Sequence, residues 1–583
     1  MTQQPHPAPA APTPSPAPRR HAGEGWLEHR GDVRVLKVKG DFHEMGRQHG
    51  ALLADDVRRG PIPYYRETVE RIVARSFLGK ASPLVWPLVQ RALGRRVEQA
   101  MPSFVLETVR GLAEGAGMDE RELLDGCTMP DSFVWLVGRM MRHGGAGPAV
   151  AHRLALELGC TSALAWGDAT RDGRMLHARN FDYHGVGCWP ETKTVIFHEP
   201  DEGLRYASVA AAGVALGGIT AMNEAGLTLT VHQHMFTDRS ALGGTPIGVV
   251  GDRVMREAKN LDDALRILES HRPIGCWTYV IADGHRREAL CFEENPERRA
   301  PRILGRDDGA TTFGYANIYL DEELGATEVN GYGSYWRHNM GRHRRVNALL
   351  EERAGELDPQ AMGEILGHPG DPACRLRDSI AMVMTVGSVV FRPDDGTLWV
   401  GTGVAPTSHG AYLALNLFDP DFRAADGTPG VEVVGEPEAG RRAFEHYRRA
   451  YLAYVDEGAL DDAARAVDAA REAAPEQALY HFLAGLLAIE GGRPREAEVA
   501  FDRALALGHP DVERVASFHL WRGRARDLLG RRREAERDYR TCLGHYADAP
   551  VHRAARKGLR RRFTKRKAAR MHVDMSLADV ITP

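Results

Sequence analysis

The stretch "GCTSALAWGDATRDGRMLHARNFD", residues 159–182, decides how this chain is read. Two β-rich runs, "TSALAW" and "RMLHARNFD", flank Arg171-Asp172-Gly173, a turn signal. If the runs pair as a hairpin, its open end returns Arg179 and Asp182 to the side of Cys160. A thiol with a pKa near ~8.5 is mostly protonated at neutral pH, so a nucleophilic cysteine needs a cation and a base. Were Cys160 the first residue of its own chain, its α-amino group, with a pKa of ~8, would be that base. Gly159 offers an unshielded carbonyl that the precursor thiol can attack, forming a thioester that water opens. Self-cleavage between Gly159 and Cys160 would then create the catalyst.

A second Gly-Cys-Thr triplet occurs at Gly126-Cys127-Thr128. It runs into "MPDSFVWLVGRMM", a proline followed by a helix-like apolar face with no hairpin, so Cys127 reads as a packed thiol. The seven cysteines contain no CxxC pair, and neither a disulfide framework nor a zinc site is indicated. His43 and His49 on "HEMGRQH" are six apart and do not form a metal pair. His232 and His234 share a strand face without a third ligand. No metal and no organic cofactor are expected.

At 583 residues two or three domains are expected, and 43% hydrophobic with 26% charged residues is the composition of a soluble globular protein. A net charge of −4 supplies no global field for nucleic acid. "MTQQPHPAPAAPTPSPAPRR" is Pro/Ala-rich and lacks the apolar core of a secretory signal. The longest apolar run, residues 206–222, falls short of a membrane helix and is broken by Gly217-Gly218. A cytoplasmic protein without a membrane span is expected, with export by another route left open.

The chain divides by texture. Residues 1–24 read as a disordered leader and 25–159 as a largely helical pro-segment. Residues 160–435 are rich in short strands interrupted by helices near 246–270 and 335–366, which predicts an α+β layered core. Residues 440–550 are helical, with "DAARAVDAAREAAPE" and "EAEVAFDRALALGHP" matching at an offset of 34 (Ala463 against Ala497), and a third copy at Ala535. That period is tetratricopeptide-like, and such repeats dock protein or peptide partners. Residues 551–583 form a basic tail, read as a solvated helix or disordered end, with ten Lys/Arg and no acid between 553 and 570.

"GDFHEMGRQHG" at 40–50, the Gly-Cys-Thr start and "ARNFDYH" together resemble the acyl-coenzyme A:6-aminopenicillanic-acid acyltransferase family, autoproteolytic N-terminal-nucleophile hydrolases. The resemblance covers roughly residues 30–420. It implies a four-layer αββα sandwich, cleavage at Gly159–Cys160 and an S-acyl intermediate on Cys160. Arg179 matches the arginine that steadies the thiolate, and Asp182 the aspartate that orients the amine. Asn317, in "GYANIYL", falls where the family places an asparagine for the oxyanion or the amine. Asn223 lies in the turn of the next strand pair. The oxyanion asparagine of relatives is replaced around His232-Gln233-His234, where strand backbone is the substitute. The family's late arginine is missing from "SIAMVMTVGSVVF", and Arg375 or Arg377 is the candidate replacement.

The reading is therefore an autoprocessed cysteine amidohydrolase or acyltransferase. It acts on a small-molecule N-acyl amide, with an acyl thioester as a candidate donor. The alternatives are an inactive sandwich serving as a scaffold through its helical repeats, and a chain processed once to mature a binding surface.

Overall fold

The computed structural model describes residues 18–74, 82–142, 159–234, 237, 239–328, 333–371 and 378–582. The greater part of the leader, Arg375 and Arg377 lie outside them.

Two antiparallel-rich sheets form the centre. The ten-stranded sheet contains the run from Lys193–Pro200 through Leu227–His234 to Arg298–Leu304. The seven-stranded sheet runs in the order Thr312–Tyr315, Gly159–Ala165, Leu176–Asp182, Thr385–Arg392, Thr397–Gly401, Gly410–Asn416, Glu432–Val433. Phe197 and Met222 from the first sheet pack with Val389 and Phe391 from the second, so the sheets lie face to face. Helices Ile247–Glu257 and Leu261–Ser270 cover the outside of the larger sheet. Helices Gly333–Glu352 and Pro359–Leu366 cover the outside of the smaller one. Four layers, αββα, result, as the resemblance implied. Because both faces of each sheet are covered, strand Gly159–Ala165 is buried along its whole length rather than alternating.

The N-terminal segment is not a helical unit apart from this core. Its strands Arg20–Ala22, Gly25–Arg30 and Val33–Gly40 extend the ten-stranded sheet, the last pairing in parallel with Lys193–Pro200. "VRVLKVKG" reads as a strand, but its pairing with a segment some 160 residues on is a long-range fact that no local pattern carries. Helix Phe42–Leu52 crosses helix Ser103–Ala116 at Gly46, Gly50, Gly111 and Gly115. A Cβ on Gly46 would sit 2.2 Å from the Thr108 carbonyl, which is why "HEMGRQHG" needs its glycines.

Beyond residue 437, seven helices stack from Glu438–Tyr451 to Ala549–Arg560, each against its sequence neighbours. Ala463, Ala497 and Ala535, the positions that repeat in the sequence, are all fully buried where helices meet. The basic end behaves differently from the solvated tail expected. Helix Ala549–Arg560 caps the stack, and Met571, Val573, Met575 and Leu577 are buried against the array. The Arg514 guanidinium donates to the carbonyls of Leu577 (2.7 Å) and Ala578 (2.9 Å), and Tyr447 Oη donates to those of Met575 and Ser576. The lysines and arginines of 553–570 point outward, while the apolar residues that follow them fold back. Among the described residues no helix is long and apolar enough to cross a membrane.

The helical array is seated on the sandwich. Val186, Met384 and Val386 share a core with Phe444, Tyr447 and Tyr451. Tyr64 and Arg71, on helix Pro61–Ala74, donate to the side chain and the carbonyl of Asp456 respectively.

Candidate active site

The hairpin places its residues as the turn position requires. Gly173 takes φ +74 at the turn, and Gly159 registers opposite Asp182, Cys160 opposite Phe181, and Ser162 opposite Arg179. The side chains of Arg179 and Asp182 therefore flank the Gly159–Cys160 peptide.

Arg179 Nη2 donates to Cys160 Sγ at 3.2 Å, and its Nη1 reaches the Ile219 carbonyl at 3.3 Å. Arg179 and Cys160 are both buried. Burial pushes the Cys160 thiol up, opposed by the Arg179 guanidinium and reinforced by the Asp182 carboxylate. The uncut chain thus holds the thiol protonated. Asp182 Oδ1 accepts from Thr385 Oγ1 at 2.6 Å, while Oδ2 is buried without a hydrogen-bond partner. Burial raises this carboxyl to about 6, against the lowering pull of Arg342, the Thr385 hydroxyl and Arg179. A buried carboxylate oxygen without a hydrogen bond is costly, and here it faces the peptide whose cleavage would supply a cationic amine. A Cβ built on Gly159 would lie 3.1 Å from that oxygen.

Asn317 sits at positive φ (+31) just after strand Thr312–Tyr315. Its Oδ1 accepts from the Cys160 backbone N–H at 2.5 Å, and its Nδ2 donates to the Gln233 carbonyl at 3.0 Å. Of the two roles the resemblance allows, this orientation suits the amine contact. One proton of Nδ2 is directed at Gln233, and only the other is left for an oxyanion.

The fourth polar residue is one that the sequence reading missed. Arg342, on helix Gly333–Glu352, donates from Nη1 to the Cys160 carbonyl (2.7 Å) and Thr161 Oγ1 (2.9 Å). Its Nη2 reaches Asn317 Oδ1 (3.1 Å) and Asn339 Oδ1 (2.7 Å), and Asp182 Oδ2 lies 3.9 Å from Nη1. It is fully buried beside Cys160, whereas Arg375 and Arg377, the candidates for the family's late arginine, lie outside the described residues. The spacing Asn339, Arg342, Val346, Leu350 was the available signal, since all four share the buried face of one helix.

The remaining candidates fall elsewhere. Asn223 holds its turn: Oδ1 accepts from Ala225 and Leu227 N–H, and Nδ2 donates to the carbonyls of Met255 and Ala258. His232 lies between the sheets, its Nε2 2.9 Å from Ser162 Oγ, held neutral by burial and nearby arginines. Gln233 serves through its carbonyl, and its residue lines the cavity described next. His49 accepts from the Gly213 N–H and is kept neutral, at about 3, by burial. Among the described residues no cluster of three His, Cys, Asp or Glu side chains is arranged to hold a metal.

A cavity of about 240 Å³ opens at Cys160 and Asp182. Its walls are mostly apolar, including Ile62, Val105, Leu112, Leu216 and Trp277. Cys127 lines it too, but its thiol is pushed up to about 12 by burial, the behaviour of a packed cysteine.

Residues 169–404 match the family model of acyl-coenzyme A:6-aminopenicillanic acid acyl-transferase. The likeness holds over that stretch. It takes in Arg179, Asp182, Asn317, Arg342 and Thr385 and begins nine residues after Cys160. An uncharacterized protein of Archaeoglobus fulgidus is 28% identical over 368 residues, and the match covers 58% of each chain. A Caenorhabditis elegans N-acylethanolamine-hydrolyzing acid amidase ortholog aligns at TM-score 0.30 and 14% identity, over 40% of this chain and 93% of its own.

Proposed function

We propose that the chain is an autoprocessing cysteine amidase or acyltransferase with Cys160 as nucleophile. The observation that carries this is the buried Oδ2 of Asp182, without a hydrogen bond and beside the Gly159–Cys160 peptide, with Arg179 on the thiol. In maturation Sγ attacks the Gly159 carbonyl carbon and the peptide C–N bond breaks. The Sγ proton passes by way of the Asp182 carboxyl, which burial raises to about 6, to the departing nitrogen, which becomes the Cys160 α-amine. Water then opens the Gly159 thioester, releasing a carboxylate and the free thiol.

In the mature site Asp182 Oδ2 and Asn317 Oδ1 accept from the new amine, and Arg179 favours the thiolate. The α-amine takes the thiol proton and later gives it to the leaving amine of the substrate. Arg342 keeps Asn317 and the Cys160 carbonyl in register. An N-acyl amide acylates Sγ and loses its amine. Water then gives hydrolysis, and a second amine gives acyl transfer. The acyl group stays attached while the amine leaves, so the apolar cavity at Sγ is assigned to the acyl side and selects an apolar acyl group.

The test is acylation. The processed protein, incubated with medium-chain N-acyl amides, should show one acyl adduct on the peptide beginning at Cys160. No adduct with any of them would count against the reading.

A further inference from the structure

One corner of the acyl cavity is polar without an assigned purpose. Asp131, on helix Glu120–Arg142, is 3% exposed and lines the cavity, and its Oδ1 has no hydrogen-bond partner. The N–H of Ile247, at the start of helix Ile247–Glu257, lies against the same carboxyl. Tyr65 and Tyr183 also line the cavity, their rings stacked with centroids 5.9 Å apart. Both feel the charge of Asp131. One residue before Asp131, Pro130 has no N–H to give the carbonyl of Gly126, and these two residues line the same wall.

A buried carboxyl with an idle oxygen costs free energy in the empty protein. Nothing in the processing chemistry at Cys160 uses it. A purely hydrocarbon acyl group would leave it unpaired, whereas a group bearing a hydroxyl at the right depth would satisfy it. A cation is the poorer fit, because burial in these apolar walls pushes Asp131 up to about 7 and so toward its uncharged form.

We propose that Asp131, together with Tyr65 and Tyr183 in the same cavity wall, forms a subsite that receives a hydroxyl on the substrate's acyl group. This rests on the assignment of the cavity to the acyl side. The reactions therefore delivering substrate are those that acylate an amine with a hydroxylated fatty acid.

The experiment uses the full chain carrying Cys160→Ala, which stays uncut and keeps the cavity as described. Medium-chain fatty acids, plain and with one hydroxyl walked along the chain, are titrated against the fluorescence of Trp189 and Trp277, both in the cavity wall. One positional isomer is expected to bind at least about tenfold more tightly than the plain acid, the scale of a hydrogen bond to a buried polar group. Asp131→Leu should erase that preference without weakening the plain acid, and Asp131→Asn, which keeps shape and hydrogen bonding, should retain most of it. No preferred isomer in the parent protein, or a preference that survives Asp131→Leu, overturns the subsite. If neither kind of acid binds, the acyl assignment of the cavity falls and takes the subsite with it. Equal binding of both removes the subsite alone.

Discussion

Gly159 stands opposite Asp182 across the hairpin, and a Cβ at residue 159 would lie 3.1 Å from Asp182 Oδ2 and 3.2 Å from both Arg342 Nη2 and Met382 Sδ. A side chain here must push on the aspartate and the arginine at once. Gly159→Ala is therefore expected to fold but to self-cleave at least about tenfold more slowly, because a small displacement of reacting groups is costly. Timed denaturing gels of freshly made protein would measure it. Cleavage at the parent rate would show that the tight fit is incidental.

Arg342 binds four oxygens from three segments of chain and has no exposed surface. Arg342→Leu leaves Asp182 without its nearest buried cation and is expected to lose about 3–5 kcal/mol of stability. Arg342→Lys keeps the charge but not the fork, so it should fold better than the leucine variant and still process slowly. Denaturant melts and processing rates of the two variants separate these effects.

Asp131 predicts a pH dependence. Its carboxyl rises from 3.8 unfolded to about 7 folded through burial. A raised folded pKa means the contribution to stability is fully present below 3.8 and lost as pH climbs through about 7. Asp131→Asn removes that loss, so it should stabilise the Cys160→Ala chain at pH ~8, by an amount on the order of 4 kcal/mol at most, and little at pH ~4. Paired urea melts of variant and parent at the two pH values cancel the contributions of other groups. A difference that does not change with pH would contradict the burial of this carboxyl.

The hairpin was legible because a turn signal and a pair of chemically paired residues fix register locally. The cysteine, its arginine, its aspartate and the asparagine at 317 came from that register and from the family likeness. Arg342 was missed despite its place on the buried face of helix Gly333–Glu352, because "RHNMGRHRR" carries so many arginines that the one turned inward looks like its solvated neighbours. Of these, Arg344 and Arg345 retain exposure while Arg342 has none. The strands before residue 41 were counted within a largely helical pro-segment, because the strand that the last of them joins lies some 160 residues further along the chain. The end of the chain was read from its charge, and "MHVDMSLADVIT" after it, with apolar residues at alternate positions 571, 573, 575 and 577, was passed over.

That last segment gives a further expectation. Arg514 holds two of its carbonyls from helix Val512–Leu528. Arg514→Ala should raise amide exchange across residues 571–582 well above the parent's while leaving the sandwich strands protected. Unchanged exchange there would mean the apolar side chains alone hold the segment.

The central claim is that the thiol of Cys160 cuts its own chain. Intact mass of the purified protein beside Cys160→Ala tests it most directly. Two fragments in the parent, ending at Gly159 and beginning at Cys160, with one uncut chain in the variant, are expected. A single uncut chain in both, in protein that is folded by circular dichroism, would remove the α-amine from the mechanism and contradict the account.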